Sequence, residues 1–243
     1  MCRKCWCTRF RATCRLPPAA ARGAAIEIAA DNTLFIALGI FSTDGIYRST
    51  TGDAGSWTKL NTLTGSGLLT TGYRRIELAC APSDASRVYA MFQSSATSTS
   101  PLNIFCSLNK GDTWTAMARP SATAPDPTYD YTRGQAWYGL AAAVSSADAN
   151  ALYVGGIDLW FTSEAGKAKA DSVTWDHESA WNVATSSTYY VHADHYAIAF
   201  VPTTVASANK TFLAATAGWL TRPMPPSAMP TSPSLASVIS AST

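Results

Sequence analysis

The amino-acid sequence predicts an all-β protein assembled from a repeated antiparallel four-stranded unit. Three observations carry that expectation. Apolar residues alternate with a period of two, the strand rhythm, rather than the helical period of about 3.6. One strand–turn–strand grammar occurs four times along the chain. Three connecting turns then end alike in a tryptophan: STTGDAGSW (Ser49 to Trp57), SLNKGDTW (Ser107 to Trp114) and SEAGKAKADSVTW (Ser163 to Trp175).

The first strand of each unit is read in IEIAA (Ile26, Ile28, Ala30), RIELAC (Ile76, Leu78, Cys80), YGLAAAV (Tyr138 to Val144) and YAIAFV (Tyr196 to Val201). Each runs into a turn rich in Pro, Ser, Asp or Asn, residues whose side chains or fixed φ favour reversal. The second strands follow as LFIAL from Leu34, VYAMF from Val88, LYVGG from Leu152 and FLAAT from Phe212. Third strands lead into the tryptophan turns as GIYRS, NIFCS and DLWFTS, and a fourth strand is expected to begin at each tryptophan: WTKL, WTAM and WDHE. Trp57, Trp114 and Trp175 lie 57 and 61 residues apart, the length of a propeller blade of four strands. The turn's residue types have a local cause: Gly for a positive φ, side-chain oxygens for exposed amides, and an aromatic cover over the blade edge. In the middle copy these are Ser107, Asn109, Gly111, Thr113 and Trp114.

SLNKGDTW resembles the Asp-box, or bacterial neuraminidase repeat, Ser-x-Asp-x-Gly-x-Thr-Trp, with Asn109 in the acidic place. The repeat occurs in sialidases, xyloglucanase-like glycoside hydrolases, sortilin-type receptors and photosystem-assembly propellers. The first copy offers Thr51 or Asp53 for the acidic position, and the third, about five residues longer, retains Ser163, Gly166, Thr174 and Trp175. The resemblance covers roughly residues 24 to 220. It implies a partial β-propeller of about three and a half blades, because the fourth unit meets a Pro/Ser-rich stretch where another box belongs. It also implies a secreted, periplasmic or cell-surface protein and a carbohydrate ligand. The box itself is a structural turn, so it implies a fold and not a catalyst.

Three regions are expected: a Cys/Arg-rich leader over 1–23 outside the fold, blades over 24–222, and a disordered tail over 223–243 with five prolines between Pro223 and Pro233. Truncated or frame-shifted coding sequence would account for both ends, with the missing blades supplied elsewhere. The leader carries Cys2, Cys5, Cys7 and Cys14 but no second ligand pair for a metal knuckle, and no apolar stretch suited to a secretory signal. Cys80 and Cys106 read as buried small hydrophobes rather than a disulfide. With 47% hydrophobic residues, 14% charged residues and a net charge of +2, the 243-residue chain suits a large core and gives no reason to expect a nucleic-acid partner. No membrane span is expected, because no run of 18 apolar residues occurs. No cofactor is expected either: NKGD lacks the Gly-Lys-Ser/Thr ending of a phosphate loop.

In an antiparallel blade the turns alternate between two ends, so a site belongs at the end opposite the boxes. Arg74 and Arg75, Arg133, Gln135 and Trp137, and His192, Asp194 and His195 precede the first strands of successive units and converge there. Asp194 and Asp158 are the one pair of carboxylates placed on that rim, and glycoside hydrolysis uses two. They are the catalytic candidates. His192, His195, Arg133, Trp137, Tyr138 and Arg75 are the substrate-binding candidates, with Trp137 and Tyr138 as an aromatic sugar platform. The same residues also suit a structural role, Asp194 as a tie between blades and the aromatics as packing. A metal held by all of HADH requires a bend, because a strand would turn His195 away from His192 and Asp194; no metal is expected. His177, beside Trp175, reads as a solvated edge position. YRRIEL lacks the Arg-Ile-Pro motif of sialidases and no Tyr/Glu nucleophile pair is assignable, so an enzyme here would be a glycoside hydrolase other than a typical sialidase. The competing reading is a non-catalytic scaffold binding a protein.

Overall fold

The computed structural model describes residues 22–96, 101–121, 130–167, 172–200 and 212–215. The cysteine-rich leader up to residue 21 and the proline-rich tail lie outside them. The described residues contain no α-helix; they form three four-stranded antiparallel sheets and one two-stranded sheet.

The first blade is β1 (Gly23–Ile28), β2 (Leu34–Leu38), β3 (Gly45–Ser49) and β4 (Thr58–Lys59). The second is β5 (Tyr73–Cys80), β6 (Val88–Ser94), β7 (Pro101–Ser107) and β8 (Thr115–Met117). The third is β9 (Ala141–Val144), β10 (Leu152–Gly155), β11 (Leu159–Thr162) and β12 (Asp176–His177), and β13 (Ala197–Phe200) pairs with β14 (Phe212–Ala215). Strand order within each sheet follows the chain. Neighbouring sheets meet chiefly through their first strands, β1 with β5, β5 with β9 and β9 with β13, so the first strand of each blade is innermost.

Three apolar clusters fill the joints between sheets. Phe35, Ala37 and Ile46 of the first blade meet Ile76, Leu78, Val88, Phe92 and Phe105 of the second. The second blade's other face, with Ala79, Tyr89, Met91 and Ile104, meets Val144, Leu152, Val154 and Trp160. Ala141, Tyr153 and Leu159 meet Ile198. A middle strand such as β6 is therefore buried at every residue, which is why VYAMF reads as a continuous apolar run instead of an alternating one. Cys80 and Cys106 are free thiols in different joints, and burial raises both above the usual thiol range, Cys106 to about 11.

The turn after the third strand is built by side chains. The Ser107 hydroxyl accepts the amides of Gly111 at 2.8 Å and Asn109 at 3.3 Å, and the Thr113 amide donates to Asn109 Oδ1 at 2.9 Å. Asn109 Nδ2 donates to Thr113 Oγ1 and the Trp114 indole donates to the Gly111 carbonyl, each at 2.9 Å. Gly111 has φ +87°, and a Cβ there would lie 2.7 Å from Leu60 Cδ1, so both the backbone and the space demand glycine. In the first copy Ser49 Oγ accepts the amides of Thr51 and Gly52, which puts Thr51, not Asp53, in the acidic register.

The third copy differs from expectation. Thr162, not Ser163, occupies the position of Ser107: its hydroxyl accepts the Glu164 amide at 3.0 Å and it is buried, whereas Ser163 is exposed. Strand alternation decides this, because only Thr162 points inward. Glu164 takes the acidic role, accepting both the amide and the hydroxyl of Thr174. Its hydrogen bond from Lys167, with those from Thr174, holds the carboxyl down at about 2. The fourth strands also begin one residue after each tryptophan, and the first gives way at Leu60 to a single 3-10 turn, Leu60–Thr62.

Each tryptophan of the second and third blades binds its blade to the one before. Trp114 is buried with Phe35 and Leu60, and the Trp175 indole donates to the Ala118 carbonyl at 2.9 Å. Arg48 reaches the Lys110 carbonyl and Asp112 at the same end, and Arg87 and Tyr89 reach Asn150 and the Ala149 carbonyl.

Candidate functional site

The end opposite these turns is formed by the links into each first strand and between second and third strands. Residues 130–140 lead into β9 as two consecutive tight turns. Asp130 shapes the first: its carboxylate accepts the amide and hydroxyl of Thr132, at 2.9 and 2.6 Å, and the amide of Gly134 at 2.8 Å. Arg133 sits at the apex with φ +45°, an uncommon conformation for a side chain larger than Asn. In the second turn the amides of Tyr138 and Gly139 both donate to the Gln135 carbonyl. It presents Trp137 and Tyr138, 49% and 48% exposed, with ring centroids 5.2 Å apart and planes inclined by 28°. Tyr196, just before β13, lies 4.6 Å from Tyr138.

Arg75 supports this shelf from the neighbouring blade. Its guanidinium donates to the carbonyls of Tyr138 and Leu140 and pairs with Glu77 at 3.0 Å. These donors are committed to backbone and carboxylate, so Arg75, expected to bind substrate, fixes the aromatic turn from behind. Burial lifts the Glu77 carboxyl to about 7, with Arg75 acting against that rise.

Asp158 occupies the link between β10 and β11 and is buried. One carboxylate oxygen accepts the Trp181 amide at 2.9 Å; the other lies 3.2 Å from His177 Nε2. His177 is exposed on the edge strand, as read from sequence, and also stacks on Trp160 at 4.2 Å with planes 14° apart. Register is the reason: Trp160 pairs with His177, so His177 shares a face with Trp160 and Asp158. The exposed Trp181 ring beyond carries the Arg133 guanidinium 5.8 Å from its centroid, within cation–π range.

HADH is neither a strand nor one cluster. Asp194 has φ +69°, His192 is exposed, and His195 is buried with neither ring nitrogen hydrogen-bonded. The His195 backbone amide donates to the Gly156 carbonyl, and a Cβ on Gly155 would lie 2.7 Å from His195 Cβ. Glycine at 155 makes room for the histidine. Burial drives its pKa down to about 4, against the pull of Asp158, so the imidazole is neutral at physiological pH. Asp194 keeps one buried carboxylate oxygen without a hydrogen-bond partner.

The structure thus gathers Trp137, Tyr138 and Tyr196 into one shelf, and Arg133, Trp181, Asp158 and His177 beside one another. It separates His192 from His195 by exposure. Three residues beside these were not singled out from sequence as site candidates: Tyr196, Trp181 and Glu178. Glu178 is buried, and burial followed by the charge of Asp176 pushes its carboxyl up to about 7. A signal for it existed in the β11–β12 pairing, which places Glu178 opposite Leu159, where its amide donates to the Leu159 carbonyl. Among the described residues no three His, Cys, Asp or Glu side chains are grouped to hold a metal ion. No described helix is long and apolar enough to cross a membrane.

No protein-family model matches the chain, and no curated protein matches it. Solved structures do. A GH74 enzyme of Niastella koreensis superposes with a TM-score of 0.54 at 17% identity, over 84% of this chain and 28% of the enzyme. The arc is part of a β-propeller. An ancestral GH74 enzyme (TM-score 0.47, 16% identity, 79% of this chain, 22% of the other) and a dihydro-heme d1 dehydrogenase (0.45, 12%, 81% and 33%) are more distant. At such identities the likeness concerns the fold, and the propeller piece spans little over a quarter of the Niastella enzyme.

Proposed function

We propose that this chain is the carbohydrate-binding part of an exported, glycoside-hydrolase-like Asp-box propeller, with residues 24–222 as its blades. One observation carries the reading: Trp137 and Tyr138 stand half exposed as a stacked pair, on a turn held rigid by Gln135 and Arg75. Flat apolar faces fixed on a scaffold suit the C–H faces of sugar rings, and holding them in advance lowers the ordering cost of binding. Trp181 extends the surface, Arg133 and His192 supply donors, and Asp194 supplies an acceptor. The turn at Ser107 to Trp114 and the fold shared with a GH74 enzyme support the family reading.

Hydrolysis by Asp158 and Asp194 is the finer step. Asp158 has both oxygens engaged, which suits an orienting role better than proton transfer, whereas a carboxyl near neutrality, as at Glu178, suits a general acid. The engagement of Asp158 favours, as a second reading, a scaffold that binds without cleaving. Calorimetric titration with a panel of neutral oligosaccharides tests the proposal. Binding weakened at least about tenfold by Trp137→Ala, in a variant with unchanged circular dichroism, is the expected result. No heat with any member of the panel would end the carbohydrate reading. Release of new reducing ends, lost in Asp194→Asn or Glu178→Gln, separates the enzyme from the scaffold.

A further inference from the structure

The blades can be compared position by position, because the turn after each first strand closes alike: Ala29, Ala81 and Ser145 each donate an amide hydrogen across it. Ile28, Cys80, Val144 and Phe200 are therefore equivalent, pairing with Leu34, Val88, Leu152 and Phe212. Two residues earlier stand Ile26, Leu78 and Ala142. On the third strand of the same face Tyr47, Phe105 and Trp160 correspond, opposite Ile36, Ala90 and Val154.

In the second and third blades this face lies inside a joint. Leu78, Cys80 and Phe105 pack on the first blade, and Val144 and Trp160, with Ala142 against them, pack on the second. In the first blade the first-strand positions are open, Ile26 44% and Ile28 54% exposed against 1% for Leu78 and 8% for Cys80, and Tyr47 is half-buried beneath Lys59. The arc's other end shows the reverse deficit. Ala197 and Ala199 on β13 are exposed, whereas in the third blade the equivalent Ala141 is buried and Ala143 half-buried against the next strand pair, and in the second blade Ala79 is buried, with Glu77 in the place of Ala197.

We propose that the Ile26–Ile28–Tyr47 face is a docking surface for a second copy of this chain, which presents its Ala197–Ala199 face to it. Two observations select this occupant. The face repeats one that the molecule already uses at two joints. Small residues of the kind it meets in those joints are found uncovered on the same chain. The contact joins unlike faces, so it is heterologous, and two such joints related by a two-fold axis close a ring. The proposal is independent of any glycan.

Analytical ultracentrifugation of the full chain tests it. The parent is expected to sediment at twice 25.7 kDa. Ile28→Asp and Ala199→Arg should each raise the dissociation constant at least about tenfold. Because each variant retains one intact face, an equimolar mixture of the two should recover a dimer through a single joint, which misfolded variants cannot do. A monomeric parent would overturn the proposal and leave the face to a blade of a longer polypeptide. A dimer indifferent to both substitutions, or a mixture that stays monomeric, would overturn it equally.

Discussion

Two buried ionisable residues at the site's edge have opposite effects on stability. His195 is neutral in the folded chain down to about pH 4, while the unfolded chain protonates it from about 6.5. Its contribution is therefore present above pH 6.5 and lost as pH falls towards 4. Glu178 is raised from 4.5 to about 7, so the unfolded chain ionises it first. The folded state loses stability from this group as pH rises through that window. Replacing Glu178 with Gln should leave the urea midpoint unchanged at pH 4, raise it progressively above pH 4.5, and give a constant gain beyond pH 7. A gain that is largest in acid would contradict the burial argument. The strain at Arg133 and Asp194 is also a residue-scale feature, since both hold positive φ beside the exposed aromatics. Such conformations persist where surrounding contacts fix them, here the Asp130 carboxylate for Arg133.

At the scale of the element, the turn between third and fourth strands differs among its three copies in what its side chains hold. In the Ser107 copy Asn109 bridges to Thr113, in the Ser49 copy Thr51 stands in that place, and in the Thr162 copy Glu164 bridges to Thr174 across a longer loop. Ser107→Ala strips a buried acceptor from two amides and should cost about 1–3 kcal/mol in urea unfolding. Trp114→Ala should cost more, about 3–5 kcal/mol, because it opens a cavity between two blades as well as losing the indole hydrogen bond. Equal losses in the two variants would mean that the tryptophan caps its own turn and contributes nothing to the joint. Fourth strands of two or three residues have little ladder of their own, so these side chains hold the blade edge in place.

For the molecule as a whole, stability is expected to grade from the second blade outward. Both faces of β6 are covered by other blades, whereas β1 has an exposed face and β13 exposed alanines. Amide exchange should be slowest in β5, β6 and β7 and fastest at β4 and β12; uniform exchange across the sheets would contradict joint-by-joint stabilisation. Much of this architecture was legible in the sequence, because period-two alternation and turn chemistry act between residues near in the chain. The strands of all four units, the antiparallel order and the tryptophan positions follow from IEIAA, VYAMF and SLNKGDTW without knowledge of any distant contact. The candidate site was legible only in its parts. Arg75 meets carbonyls more than sixty positions away, His177 meets Asp158 through strand register, and His195 loses its hydration to a joint between sheets. Local sequence thus determined which segments extend and where they turn. Packing of one sheet on the next decided which polar side chains are committed, which are neutralised by burial, and which aromatics remain open to a ligand, since desolvation depends on neighbours that the chain brings together only when folded.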